Sequence, residues 1–176
     1  GVAVVFTIES TSSQVCSVSG STVSFIGVGT CTVNANQAGN ANYEAATQVQ
    51  QSFTVGKASQ TISGVSTAPS NAVVAGATYT VSATGGASGS NLTYAIDATA
   101  SAVCSITAQV VSFQTPGTCL ININQPGNDN YNAATQYQQS FIVGKGAQVL
   151  TFTSSAPNGA KVGGRSYTVT ATGGAT

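Results

Sequence analysis

The sequence predicts an all-β chain built as antiparallel sandwiches in tandem. Three observations carry this. Apolar residues alternate with Thr, Ser and Asn at a period of 2, and no segment shows a helical stripe. Clusters of Gly, Ser, Asn and Pro punctuate these runs at short intervals. The whole pattern recurs with a period of 88 residues.

The repeat is visible throughout the 176 residues. VCSVSGSTVSFIGVGTC (15–31) returns as VCSITAQVVSFQTPGTC (103–119). NQAGNANYEAATQVQQSFTVGK (36–57) returns as NQPGNDNYNAATQYQQSFIVGK (124–145). STAPSNAVVAGATYTVSATGGAS (66–88) returns as SSAPNGAKVGGRSYTVTATGGAT (154–176). Residues 58–145 therefore read as one complete repeat. Residues 1–57 match its later part, and residues 146–176 match its opening part. Two expectations follow from this phase. The chain is a window on a longer repetitive polymer, or its end segments are completed by neighbouring chains.

Val23-Ser24-Phe25 alternates, and the run Cys31-Thr32-Val33-Asn34-Ala35-Asn36 places Cys31, Val33 and Ala35 on one face. Phe53-Thr54-Val55 closes the first segment. Tyr79-Thr80-Val81-Ser82-Ala83 opens the sandwich of the complete repeat, and Tyr167-Thr168-Val169-Thr170-Ala171 is its later copy. In the second long strand Cys119, Ile121 and Ile123 oppose Leu120, Asn122 and Asn124. Thr, Val, Ile, Tyr and Phe suit a half-buried pleated surface. About seven strands of roughly 5–8 residues fit one repeat.

Cys16 and Cys31 recur as Cys104 and Cys119, each on the core-facing parity of its strand. Four cysteines allow three pairings, and the repeat selects Cys16–Cys31 and Cys104–Cys119. Zinc needs four clustered ligands and each repeat offers two. A redox centre would have CxxC or a cationic neighbour, and neither is present. Structural disulfides place the chain in an oxidising compartment: the periplasm, the cell surface or outside the cell.

Composition excludes several function classes. Only 5% of residues are charged, against about 25% in an ordinary soluble domain. Four basic residues balance four acidic ones, which leaves no run of cations to neutralise nucleic-acid phosphates. Histidine is absent, so the His-based triads and imidazole zinc sites are excluded. No apolar run approaches the ~20 residues of a membrane-spanning helix. The chain is read as no enzyme and as needing no cofactor.

The segment VCSVSGSTVSFIGVGTCTVNANQ (15–37) resembles the late-strand motif of bacterial immunoglobulin-like (Big) domains. The segment APSNAVVAGATYTVSATGG (68–86) resembles the first strands of such repeats in long bacterial surface proteins. The best-matched steps are Gly29-Thr30 and Gly117-Thr118. The resemblance implies tandem immunoglobulin-like sandwiches serving as the stalk of an adhesin or as a surface fibre. It implies no catalytic residues. The cysteine pair departs from the commonest family members, which mostly lack it.

Glu9 and Asp97 are equivalent and read as loop or edge charges. Calcium could use the oxygens of Asn128-Asp129-Asn130, but the first copy reads Asn40-Ala41-Asn42. Lys57 and Lys145 end their segments in Val-Gly-Lys and read as junction charges rather than as partners in isopeptide bonds. Thr78, Thr80 and Thr84, with Thr168, Thr170 and Thr172, read as outward positions rather than an ice-binding plane. Asn34, Asn36, Asn122 and Asn124 form a candidate lateral contact face between copies, since amides pair without the desolvation cost of a charge.

The function expected is a structural repeat of an extracellular bacterial fibre, filament or adhesin stalk. Its partners are neighbouring copies joined head to tail, with Thr176 beside Gly1 of the next. The alternative is a recognition module that binds a glycan or host protein through loops at the sandwich end. Its candidates are Tyr43 and Tyr131 in the NxNYxAA segments. The near-constancy of that loop between copies favours structure over binding, because a binding module diversifies one set of loops.

Overall fold

The computed structural model describes residues 1–174; Thr176, the expected joining residue, lies outside the described residues. The chain is all-β, in small antiparallel sheets consistent with sandwich architecture. The strands are, in order, β1 (Val4–Ile8), β2 (Cys16–Ser19), β3 (Thr22–Phe25), β4 (Gly29–Gln37) and β5 (Val49–Val55). There follow β6 (Tyr79–Thr80), β7 (Thr93–Ile96), β8 (Cys104–Thr107), β9 (Val110–Phe113) and β10 (Gly117–Asn124). The last are β11 (Tyr137–Val143), β12 (Thr151–Phe152) and β13 (Ala171–Thr172). Two 3-10 turns, Ser10–Ser12 and Ala98–Ala100, stand at repeat-equivalent positions.

The chain divides into two units. The first comprises Gly1–Ser66, Ser82–Ala95 and Asn122–Gln139. Its sheet has the order β1-β4-β5, beside the hairpin β2-β3. Val33 lies opposite Ile8 on one side and Gln51 on the other. The disulfide Cys16–Cys31 is fully buried here. Buried amides hold the loops of this unit. Gln60 donates from Nε2 to the carbonyls of Asn132 (2.8 Å) and Pro126 (3.2 Å), and its Oε1 accepts from the Ser88 amide. Gln125 accepts from the Gly86 amide at 2.7 Å and donates to the Ser90 carbonyl at 2.9 Å. Each is a polar side chain taken from water with its hydrogen bonds replaced.

The second unit comprises Thr67–Val81, Ile96–Ile121 and the chain from Ser140 on. Its sheet has the order β6-β9-β8, and β12 pairs with β13. Val81, Val111, Phe113, Ile121, Phe141 and Val143 are its buried core, around the disulfide Cys104–Cys119. The rings of Tyr79 and Phe113 each meet Phe141 edge to face, with centroids 5.8 Å apart. Burying each such side chain contributes about 1.5–3 kcal/mol. Strands β7, β10 and β11 form a sheet in the order β11-β10-β7.

The alternation read from the sequence holds along β10, where Cys119, Ile121 and Ile123 are buried and Leu120, Asn122 and Asn124 half-buried. The two hairpins β2-β3 and β8-β9 share one register: Cys16 faces Phe25 as Cys104 faces Phe113. Gly29 and Gly117 both take positive φ, at 144° and 153°. A Cβ there would stand 2.9 Å from Val15 Cγ2 and 2.8 Å from Val103 Cγ2, so the Gly-Thr step lets β4 and β10 start against the preceding turn.

Two expected strands are shorter than the alternation suggests. The run from Tyr79 to Ala83 yields β6 alone, two residues long, although the Val81 amide still donates to the Gln109 carbonyl. The run from Tyr167 to Ala171 forms no ladder before β13. Tyr79 has β9 as its neighbour, with Tyr79 opposite Val111, whereas the described ladders give Tyr167 no such neighbour. A strand requires a partner for its backbone groups, whatever its alternation. Among the described residues, 58–145 holds six named strands instead of about seven, because the opening segment contributes isolated bridges only: Ala58 with Tyr131, Ser63 with Thr84, Val73 with Gly144.

Candidate functional site: the joint between copies and the uncovered faces

The Gly-Asn-x-Asn-Tyr loop is a self-capped turn in both copies. Asn128 Oδ1 accepts from the amides of Asn130 and Tyr131, each at 2.9 Å, and the Asn128 amide donates to the Tyr131 carbonyl at 3.0 Å. Asn40 does the same with Asn42, Tyr43 and the Tyr43 carbonyl. Asparagine favours this geometry because its side chain mimics a further turn of backbone. The near-constancy of the loop therefore has a local structural cause.

In the later copy this loop meets the end of the earlier one. Lys57 Nζ donates to the Asn128 carbonyl at 2.7 Å. Asn130 Oδ1 accepts from the Val28 amide at 3.2 Å, and its Nδ2 donates toward the Ile26 carbonyl at 3.4 Å. The Ala58 amide donates to the Asn130 carbonyl, and the Asn132 amide to the Ala58 carbonyl, both at 2.9 Å. Residues of the 1–57 segment are thus hydrogen-bonded to the loop of the next copy. These bonds engage several of the oxygens considered for calcium. Among the described residues, no group of three or more His, Cys, Asp or Glu could hold a metal ion.

Glu9 and Asp97 start the two 3-10 turns. Glu9 accepts from the Ser10 amide at 3.2 Å, and Asp97 from the Thr99 amide at 3.0 Å. Glu9 Oε2 also accepts from Asn34 Nδ2 and Gln50 Nε2, each at 3.2 Å. The bond from Asn34, then that from the Ser10 amide, holds the Glu9 carboxyl below the usual glutamate range.

The amide row departs from the expected contact face. Asn34 is only 6% exposed and is committed to Glu9, so it offers no open amide to a neighbour. Asn36, Asn122 and Asn124 are half-buried, and Asn122 Oδ1 accepts from Gln138 Nε2 at 2.8 Å. Cys16–Cys31 and Cys104–Cys119 have Cα atoms 5.8 Å apart, ordinary disulfide spacing, and tie β2 to β4 and β8 to β10. Tyr43 is 76% exposed, while its counterpart Tyr131 is half-buried at its bridge to Ala58.

Gln60 and Gln125 are buried loop anchors that the alternation along the chain does not mark. The one available signal was that glutamine recurs at both positions, as Gln148 and Gln37. Asn130 is marked no better, by an asparagine shared with position 42.

The larger feature is a difference in cover between matching side chains. Phe113 is 6% exposed and its counterpart Phe25 62%. Phe141 is 8% exposed and its counterpart Phe53 36%. Val81 is fully buried and its counterpart Val169 58% exposed. A groove of about 200 Å³ runs along the bare side of the 1–57 segment, lined by Phe6, Val18, Val23, Val33 and Phe53 among others.

No protein-family model matches the chain, and no curated protein matches it. Among solved structures, domains 4 and 5 of the S-layer protein SbsC are similar at 19% identity, with a TM-score of 0.32. That alignment covers 81% of this chain and 70% of the other. No helix among the described residues is long and apolar enough to cross a membrane.

Proposed function

We propose that this chain is a structural repeat of an extracellular fibre or stalk, joined head to tail with neighbouring repeats and without catalytic activity. The observation that carries the reading is the joint. A loop kept nearly constant between copies is bonded, through Asn128 and Asn130, to Lys57, Val28 and Ile26 of the preceding copy. Keeping one loop shape in both copies serves stacking, because each joint can then repeat the last. The buried disulfides suit an oxidising compartment. An Ig-like repeat of bacterial surface proteins fits both features.

Immunogold electron microscopy on the source cells tests this reading, together with thiol trapping of the native protein. Surface label along rods or fibres, with all four cysteines protected, is expected. Label confined to the cytoplasm, or reduced cysteines in the native protein, would overturn it.

A further inference from the structure

Residues 89–93 of the complete repeat depart in kind from their earlier copy. Gly89-Ser90-Asn91-Leu92-Thr93 stands where the first copy has Gly1-Val2-Ala3-Val4-Val5. Val2, Ala3 and Val5 thus have polar counterparts in Ser90, Asn91 and Thr93. The last two write Asn-x-Thr, with leucine and not proline between them. No other asparagine of the chain has Ser or Thr two residues on. The pattern belongs to one copy, so it is no part of the repeated joint.

The fold puts this triplet on the outside. Asn91 and Thr93 are exposed and Leu92 is half-buried, an alternation that β7 continues with Tyr94 half-buried and Ala95 exposed. At a period of 2 the Asn91 amide and the Thr93 hydroxyl share one outward face. The backbone just before them is held. Gln125 Nε2 donates to the Ser90 carbonyl at 2.9 Å, and Ser90 Oγ donates to the Gly127 carbonyl at 3.4 Å. Thr93 Oγ1 makes one long bond, 3.5 Å, to the Asn124 carbonyl. Among the described residues no hydrogen bond engages the Asn91 side chain, whereas the amides of Asn34, Asn40 and Asn128 are committed within the fold.

We infer that Asn91 is the acceptor of an N-linked glycan. Asn-x-Ser/Thr, with x other than proline, is the acceptor pattern for such transfer on surface loops of exported chains. The donor is an activated sugar, carried on a lipid pyrophosphate or on a nucleoside diphosphate. Asn91 Nδ2 forms a bond to the anomeric carbon, and the bond from that carbon to the donor's phosphate oxygen breaks. The amide gives up one proton as the phosphate leaves, and nothing is oxidised or reduced. The attached sugar stands beside β7, which ends the sheet β11-β10-β7. An edge strand is a template for pairing with other edges unless it is blocked. With 5% of residues charged, repulsion between chains is weak, so a bulky, hydrated sugar supplies the separation that charge supplies elsewhere. The inference rests on the extracellular fibre reading and gives that fibre a means of staying apart from its neighbours at this edge.

The test is peptide mapping of the native protein from the source cells, by mass spectrometry with electron-transfer fragmentation. Peptides spanning Asn91 are expected to carry sugar on that residue: an oligosaccharide block from a lipid-linked donor, a single hexose from a nucleotide sugar. Thr93→Ala expressed in the same cells should lose the sugar and Thr93→Ser should keep it, with circular dichroism unchanged in both. An unmodified Asn91 in protein located at the surface would overturn the inference and leave the fibre reading standing. Sugar found only on Ser or Thr, or sugar on Asn91 that survives Thr93→Ala, would also overturn it. Immunogold label on the same cells reports on the fibre reading separately.

Discussion

Ala108 shows how one residue can record a compromise. It follows Thr107 in the turn between β8 and β9, at φ 56°, where the first copy has Gly20 at φ 59°. An L side chain in this region costs about 1–2 kcal/mol, and glycine returns about 0.4–1 kcal/mol of that to unfolded-chain entropy. Ala108→Gly should therefore raise stability by up to about 1.5 kcal/mol, and Gly20→Ala should lower it, as urea titrations would measure. Glu9 makes a second prediction. Its carboxyl is held below the ordinary value, mainly by Asn34, so the charged form is favoured in the folded state. That contribution is complete above the unfolded value and is lost as pH falls through the lowered folded one. The unfolding midpoint should thus drop as pH is taken below the usual glutamate range, and Glu9→Gln should flatten that part of the profile.

At the scale of strands and hairpins, the disulfide and the aromatic group divide the work. Cys104→Ala frees Cys119 but leaves Val111, Ile121 and Val143 in place. The fold should survive, weaker by about 2–4 kcal/mol, with the same loss seen on reduction of that bond alone. The aromatic positions should behave unequally despite identical sequence roles. Phe113→Ala removes a buried ring that packs on Phe141 and should cost about 3–5 kcal/mol. Phe25→Ala removes a ring that is mostly exposed and should cost under about 1 kcal/mol in the isolated chain. If the two values coincide under conditions where chains are separate, the difference in cover between the copies is wrong.

At the scale of the whole molecule, charge is too sparse to govern association. Eight formal charges sum to zero over 176 residues, and the exposed apolar side chains Phe25, Leu150, Phe152 and Val169 are uncharged. Association through such faces is driven by removal of apolar surface from water. Sedimentation should show the same extent of assembly as salt shortens the Debye length from about 30 to about 3 Å. Dissociation on adding salt would point to a charged interface instead. Assembly should instead weaken on cooling, as apolar association does.

The sequence alone determined the strand class, the 88-residue period and the core-facing parity of the four cysteines. These are local or self-referential properties. A period of 2 is set by backbone geometry, and a repeat can be read by comparing the chain with itself. Tertiary structure decided what each pattern meets. Phe25 and Phe113 occupy matching alternating runs, yet one is bare and the other buried, because only Phe113 has Tyr79 beside its strand and Val81 in its core. Asn34 reads as an outward amide but is buried against Glu9, which sits 25 residues earlier on the end of a neighbouring strand. Asn130 reads as one more loop residue, and its bonds to Ile26 and Val28 come from a turn more than 100 residues away. Burial and pairing depend on which segments arrive together, and alternation along one strand carries no record of its partner.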